Sequence, residues 1–296
     1  MTTAVAAPTV PAAPSGRMAI RASYASLGFA FAGFLFCGLG TILAAPNVST
    51  YPDRLSWVLQ CVGPILIAIA VMLHVEHLAY RIGRPAVILI IAGAFLNGLP
   101  TAAFVFKPQL YTEVAWSNAA YSLYAVGFVT FGLGLAAVAI HKEKQIESGL
   151  KPVADVGDTD PTDVTVHASF FSLIAASTGL FMVAIGYLFL NGHPTGNRAT
   201  WTLISLGWTF VAVGIISHID HLSRHIGRAA VAVGVFGAAL IAVSTLPYAV
   251  DPGNWTSTTW AQSFWDVWGS GPICGAIAVG LVILRKRSIE AESAVA

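Results

Sequence analysis

Long apolar blocks with few charges alternate with short polar breaks along this chain. Eight such blocks can be marked, at about 24–46, 57–79, 85–106, 116–140, 168–190, 201–223, 228–249 and 263–284. Each has roughly the 20 residues needed to cross ~30 Å of hydrocarbon. The breaks carry polar residues, Gly or Pro: Asn47–Asp53, Lys107–Glu113, Asn191–Asn197 and Asp251–Ser257. In lipid every backbone group must be paired within its own segment, so the blocks predict helices. Alternating ten-residue strands, the mark of a transmembrane barrel, are absent from the sequence.

The pattern repeats. His74-Val-Glu-His77-Leu78 returns as His218-Ile-Asp-His221-Leu222, and Ile82-Gly83-Arg84 as Ile226-Gly227-Arg228, both at an offset of 144 residues. The same offset pairs Asn47 with Asn191, Trp57 with Trp201, Gly63 with Gly207, Gly93 with Gly237 and Trp116 with Trp260. One constant offset over four helices predicts an all-α integral membrane protein made of two tandem parallel four-helix repeats. Four spans per repeat give both halves the same orientation, hence a pseudo-twofold axis along the membrane normal. The predicted parts are a disordered tail 1–16, repeat 17–140, cytoplasmic linker 141–166, repeat 167–287 and C-terminal tail 288–296.

Composition agrees with this reading. Hydrophobic residues make up 56% of the chain and charged residues 10%, against about 25% charged in soluble domains. The net charge of +1 gives no basic footprint for nucleic acid. The partner implied is a lipid bilayer, with other membrane subunits as an option. Cys37, Cys61 and Cys274 lie inside apolar blocks without CxxC spacing and read as small core residues. Basic residues set orientation. Arg17, Arg21, Arg81, Arg84, Lys142, Lys144, Lys151, Arg224, Arg228, Arg285, Lys286 and Arg287 fall on one side, and Arg54, Lys107 and Arg198 on the other. Both termini are therefore predicted to be cytoplasmic. Trp57, Trp116, Trp201, Trp255 and Trp260 are predicted to form an interfacial belt at the outer boundary.

The repeated histidine motif is the candidate chemistry, because ionisable residues near a membrane interior are costly. His74 and His77, like His218 and His221, stand three apart and share a helix face. Arg84 and Arg228, seven beyond, extend that stripe and suit an anion or lipid headgroup. Should the second and sixth spans meet at the axis, four imidazoles converge. They would then hold a transition-metal ion or haem b near the cytoplasmic side. Glu76 and Asp220 would serve as supporting or proton-handling groups. That reading is a redox or metal-binding membrane subunit. Two alternatives use the same residues: a proton-coupled permease, or an auxiliary scaffolding subunit. The plainer reading is interhelical hydrogen bonding. His225, standing where the first copy has Arg81, breaks the symmetry, while His141, His167 and His193 show no recurring pattern. Phosphate loops, GxSxG elbows and HExxH sequences are absent from the chain.

Overall fold

The computed structural model describes residues 20–45, 52–150, 165–191 and 196–295. The predicted tail 1–16, the middle of the linker and His193 lie outside these residues. The described residues are all-helical, with no strand among them. Eight helical segments are long and apolar enough to cross a membrane.

The helices are α1 Tyr24–Ala44, α2 Arg54–Met72, α3 Val75–Ile82, α4 Arg84–Gly98 and α5 Ala102–Phe106, then α6 Val114–Glu147 and α7 Phe170–Phe189. They continue with α8 Arg198–Ile216, α9 Ile219–Ile226, α10 Arg228–Val250 and α11 Thr258–Val295. Side-chain caps set several starts by satisfying an N–H that the first turn leaves open. Asp53 accepts from the Ser56 amide at 2.8 Å and Asn197 from the Thr200 amide at 2.9 Å. Ser23 and Ser169 cap α1 and α7 in the same way, each at 3.0 Å.

Packing joins α1 to α2, α2 to α4, α4 to α6, α6 to α7, α7 to α8, α8 to α10, α10 to α11, and α11 back to α1. The eight spans thus form a closed ring in chain order. Glycines let neighbouring backbones touch at several of these joints. A Cβ on Gly33 would lie 2.7 Å from the Gly63 carbonyl oxygen, and one on Gly237 would lie 2.6 Å from that of Gly271. At the closing joint, a Cβ on Gly38 would meet the Gly269 oxygen at 2.6 Å. Large apolar side chains cover the outside of the ring: Ile88 is 64% exposed, Phe171 63% and Phe236 59%.

Two expectations need correction. The second and sixth spans are not continuous through the histidine motif. They stop at Met72 and Ile216, and His74 (φ −121°, ψ 15°) and His218 (φ −119°, ψ 16°) stand at the breaks. The short helices α3 and α9 follow. Each ends at a glycine with positive φ, 89° at Gly83 and 95° at Gly227, a backbone region that side chains strongly disfavour. Arg84 and Arg228 therefore open α4 and α10 and do not extend the histidine stripe. Helix α6 runs on to Glu147, into the stretch 141–166.

Candidate functional site

Contacts recur between the halves. Arg54 donates to the Phe106 carbonyl at 3.3 Å and Arg198 to the Val250 carbonyl at 2.9 Å, an offset of 144 at both partners. The Trp57 ring lies 4.9 Å from Phe104 and 5.1 Å from Tyr111, while Trp201 lies 5.0 Å from both Tyr248 and Trp255. In the first helix of each half the offset is instead 146. Ser26 donates to the Ala70 carbonyl and Ser172 to that of Gly214, and Gly33 corresponds to Gly179.

Inside the ring is a chamber of about 240 Å³. All eight spans contribute to it, through residues such as Thr41, Gln60, Asn97, Tyr124, Tyr187, Trp208, Ile241 and Trp268. Among the described residues no charged side chain or histidine lines it. The two sides of the chamber differ. Gln60 and Asn97, on α2 and α4, correspond at the 144-residue offset to Ile204 and Ile241, which also line the chamber. Each amide nitrogen is held by a helix carbonyl, Gln60 by Gly40 at 3.1 Å and Asn97 by Gly93 at 2.8 Å. The amide oxygens are left as acceptors among the described residues. The other wall is aromatic. Phe128 stacks on Tyr187 at 5.6 Å and meets Trp208 edge-on at 5.8 Å, and Trp208 meets Trp268 at 5.9 Å.

A vestibule of about 250 Å³, lined by residues including Pro52, Thr112, Asn118 and Ala261, shares Tyr111, Ser117, Tyr121, Trp255 and Trp265 with the chamber. It lies at the end of the ring away from the histidine motifs. Here the expected tryptophan belt divides. Trp116 and Trp260 are 44% and 45% exposed, but Trp57 and Trp201 are buried at 2% and 3%, and with Trp255 they line the chamber. Their nearness to a helix end gave their depth and not their facing.

The histidines lie at the opposite end, together with both described ends of the chain; Lys286 donates to the Ile20 carbonyl at 2.8 Å. His74 and His77 are neighbours, with ring centroids 4.8 Å apart, and so are His218 and His221 at 4.8 Å. The shared face of each pair is therefore present. Among the described residues the ring contacts join the members of each pair, and none joins His74 or His77 to His218 or His221. Among the described residues no group of three or more His, Cys, Asp and Glu side chains is arranged to hold a metal ion.

His221 has other neighbours. His167 stacks on it at 4.5 Å and 14°, and His225 meets it edge-on at 4.4 Å. Sequence spacing could have found His225, four residues beyond His221 on the same face; His167 is distant in sequence and gave no local signal. In the first half Arg81 takes the place of His225. Its carbonyl accepts from the Thr165 hydroxyl at 2.6 Å, which fixes the segment 165–167 between α3 and α9. Burial, then the neighbouring imidazoles and Arg81, hold His221 down at about 3. Burial followed by Arg81 and the same imidazoles holds His225 at about 4. His74, His77 and His218 are also lowered, chiefly by burial. In each case burial favours the neutral form of the ring.

No protein-family model, curated protein or solved structure matches the chain.

Proposed function

We propose that this is a multi-pass membrane protein of two tandem four-helix repeats about an axis along the membrane normal. In this reading its ring of spans binds a small uncharged amphiphile and carries it across the bilayer. The matching caps, arginine contacts and aromatic triads support the repeat. The excess of basic residues at the end bearing the histidines and chain ends supports a cytoplasmic placement of that end. The vestibule then opens on the outer side.

The single observation that carries the function is the charge-free chamber lined by all eight spans. A charged ligand would be left unpaired there at high cost. A planar ligand with one hydrogen-bonding edge suits it: the edge toward Gln60 and Asn97, the face against Trp208 and Trp268. The redox or metal-binding reading, with haem b or a transition-metal ion, rests by comparison on the imidazole pairs alone.

The test uses 2-naphthol, a neutral planar hydroxyl donor, with the full chain in neutral-lipid nanodiscs. Saturable quenching of tryptophan fluorescence is expected. Asn97→Leu should weaken it about tenfold, the loss of roughly one buried hydrogen bond, while Trp116→Phe on the outer surface should leave it unchanged. Quenching that never saturates and matches simple partition into lipid would sink the binding site. Proteoliposome flux of the same compound then separates a carrier from a receptor.

A further inference from the structure

We propose that Arg81 and the imidazoles of His167, His221 and His225 form a binding site for a phosphate-type oxyanion at the end of the ring opposite the vestibule. This site is independent of the chamber and does not rest on the carrier reading.

The residues are brought together by three elements. Arg81 is on α3, His221 and His225 are on α9, and His167 follows the segment that runs between them. Gln145 of α6 fixes that segment twice. Its amide nitrogen donates to the Thr165 hydroxyl at 2.7 Å, and its amide oxygen accepts from the Thr165 backbone N–H at 3.0 Å. Thr165 in turn donates to the Arg81 carbonyl. Three hydrogen bonds thus hold Thr165, two residues before His167, between α6 and α3. Nε2 of His225 is buried and has no hydrogen-bond partner among the described residues, and such an atom ordinarily costs stability.

Arg81 acts on His77, His221 and His225, Arg21 acts on Arg81 and His77, Lys142 on His218, and Arg285 on His225. The packed elements also carry acids: Glu76 on α3, Asp220 on α9, Glu143 and Glu147 on α6, and Glu290 and Glu292 on α11. All of these carboxylates belong to exposed residues, whereas His221 and His225 are half-buried. Glu290 is turned to Lys286 at 3.0 Å and to the Tyr24 hydroxyl. A half-buried cluster of this kind calls for an anion. A bound cation would be opposed by the Arg81 guanidinium.

The geometry favours a tetrahedral oxyanion. A planar carboxylate is satisfied by one guanidinium fork, whereas a phosphate offers further oxygens to ring N–H groups approaching from another side. A free phosphate and a phospholipid headgroup share that chemistry. The lipid source is within reach, since Tyr80 on α3 is 65% exposed and Met72 and Leu73 at its start are 46% and 49% exposed.

The experiment uses the full chain in phosphatidylcholine nanodiscs, titrated calorimetrically with inorganic phosphate. A second set of nanodiscs contains phosphatidate and is read by thermal unfolding. Phosphate is expected to bind, with affinity falling about tenfold or more in Arg81→Gln and in His225→Gln, as for loss of a charge-assisted hydrogen bond. Arg54→Gln at the opposite end should change nothing. Binding of phosphate identifies the free anion as a source. Stabilisation by phosphatidate alone, lost in either variant, identifies the headgroup. Should Arg81→Gln fail to fold, His225→Gln, which keeps the guanidinium, decides alone. The site is overturned if neither ligand acts on the wild-type chain, or if both act equally on the variants.

Discussion

Gly207 meets Gly179 so closely that a methyl carbon on Gly207 would lie 2.6 Å from the Gly179 carbonyl oxygen. Backbone lies on both sides of this joint, so no flexible side chain can move aside. Gly207→Ala should therefore destabilise the ring by about 1–3 kcal/mol, the usual cost of overpacking. Gly28 and Gly234, also helical, have nothing within 4 Å of the place a Cβ would take. Alanine at either should be neutral or stabilise slightly. Thermal unfolding of the three variants in one detergent checks the contrast, and equal melting temperatures would refute it.

The paired caps make a second expectation. Asp53→Ala removes the acceptor for the Ser56 amide, and Asn197→Ala removes that for the Thr200 amide. Each should cost about 1 kcal/mol. If the halves are equivalent at this point, the two losses should agree and add in the double variant, because the caps lie on opposite members of the ring. Chemical denaturation in mixed micelles measures both.

Acid should loosen the end of the ring that carries the histidines. His221 and His225 sit at about 3 and about 4 in the folded chain, against 6.5 when unperturbed. Between those values the unfolded chain binds more protons than the folded one, so stability rises with pH through this window. It should be fully present above about 6.5 and decline as pH falls toward 4. His225→Asn should flatten the decline without altering behaviour at pH 8. Melting temperature against pH, with and without the substitution, is the measurement; parallel curves would show that His225 takes no part.

An optical spectrum with elemental analysis closes the comparison with the haem and metal reading. Because no group of three or more His, Cys, Asp and Glu side chains among the described residues is arranged to hold a metal ion, no Soret band and no stoichiometric transition metal are expected in purified protein. A band, or one metal per chain, abolished by His74→Ala and by His218→Ala, would restore a centre shared between the motifs.

Much of the architecture could be read from the residues. Apolar length with few charges marked all eight helices that are long enough to cross a membrane. The shared face of His74 with His77, and of His218 with His221, followed from helical spacing. The breaks at His74 and His218 did not, since nothing in His-Val-Glu-His opposes a continuous helix; α3 is set apart by Gly83 at its far end and by packing. The inward facing of Trp57 and Trp201 was also hidden, because an aromatic ring suits lipid and a chamber wall equally. The offset of 146 shared by Ser23 and Ser169, Ser26 and Ser172, and Gly33 and Gly179 was visible in principle. It was masked by the stronger match at 144. His167 joins His221 only through the fold.

The ring closes by contact, where α1 lies along α11 and Lys286 reaches the Ile20 carbonyl. A circle completed without a covalent bond has no privileged starting helix. A chain cut between 151 and 164 and spliced near Ile20 and Lys286 should trace the same circle in a rotated order. By the same logic, segments 20–150 and 165–295, made as two polypeptides, should associate with each other when co-expressed.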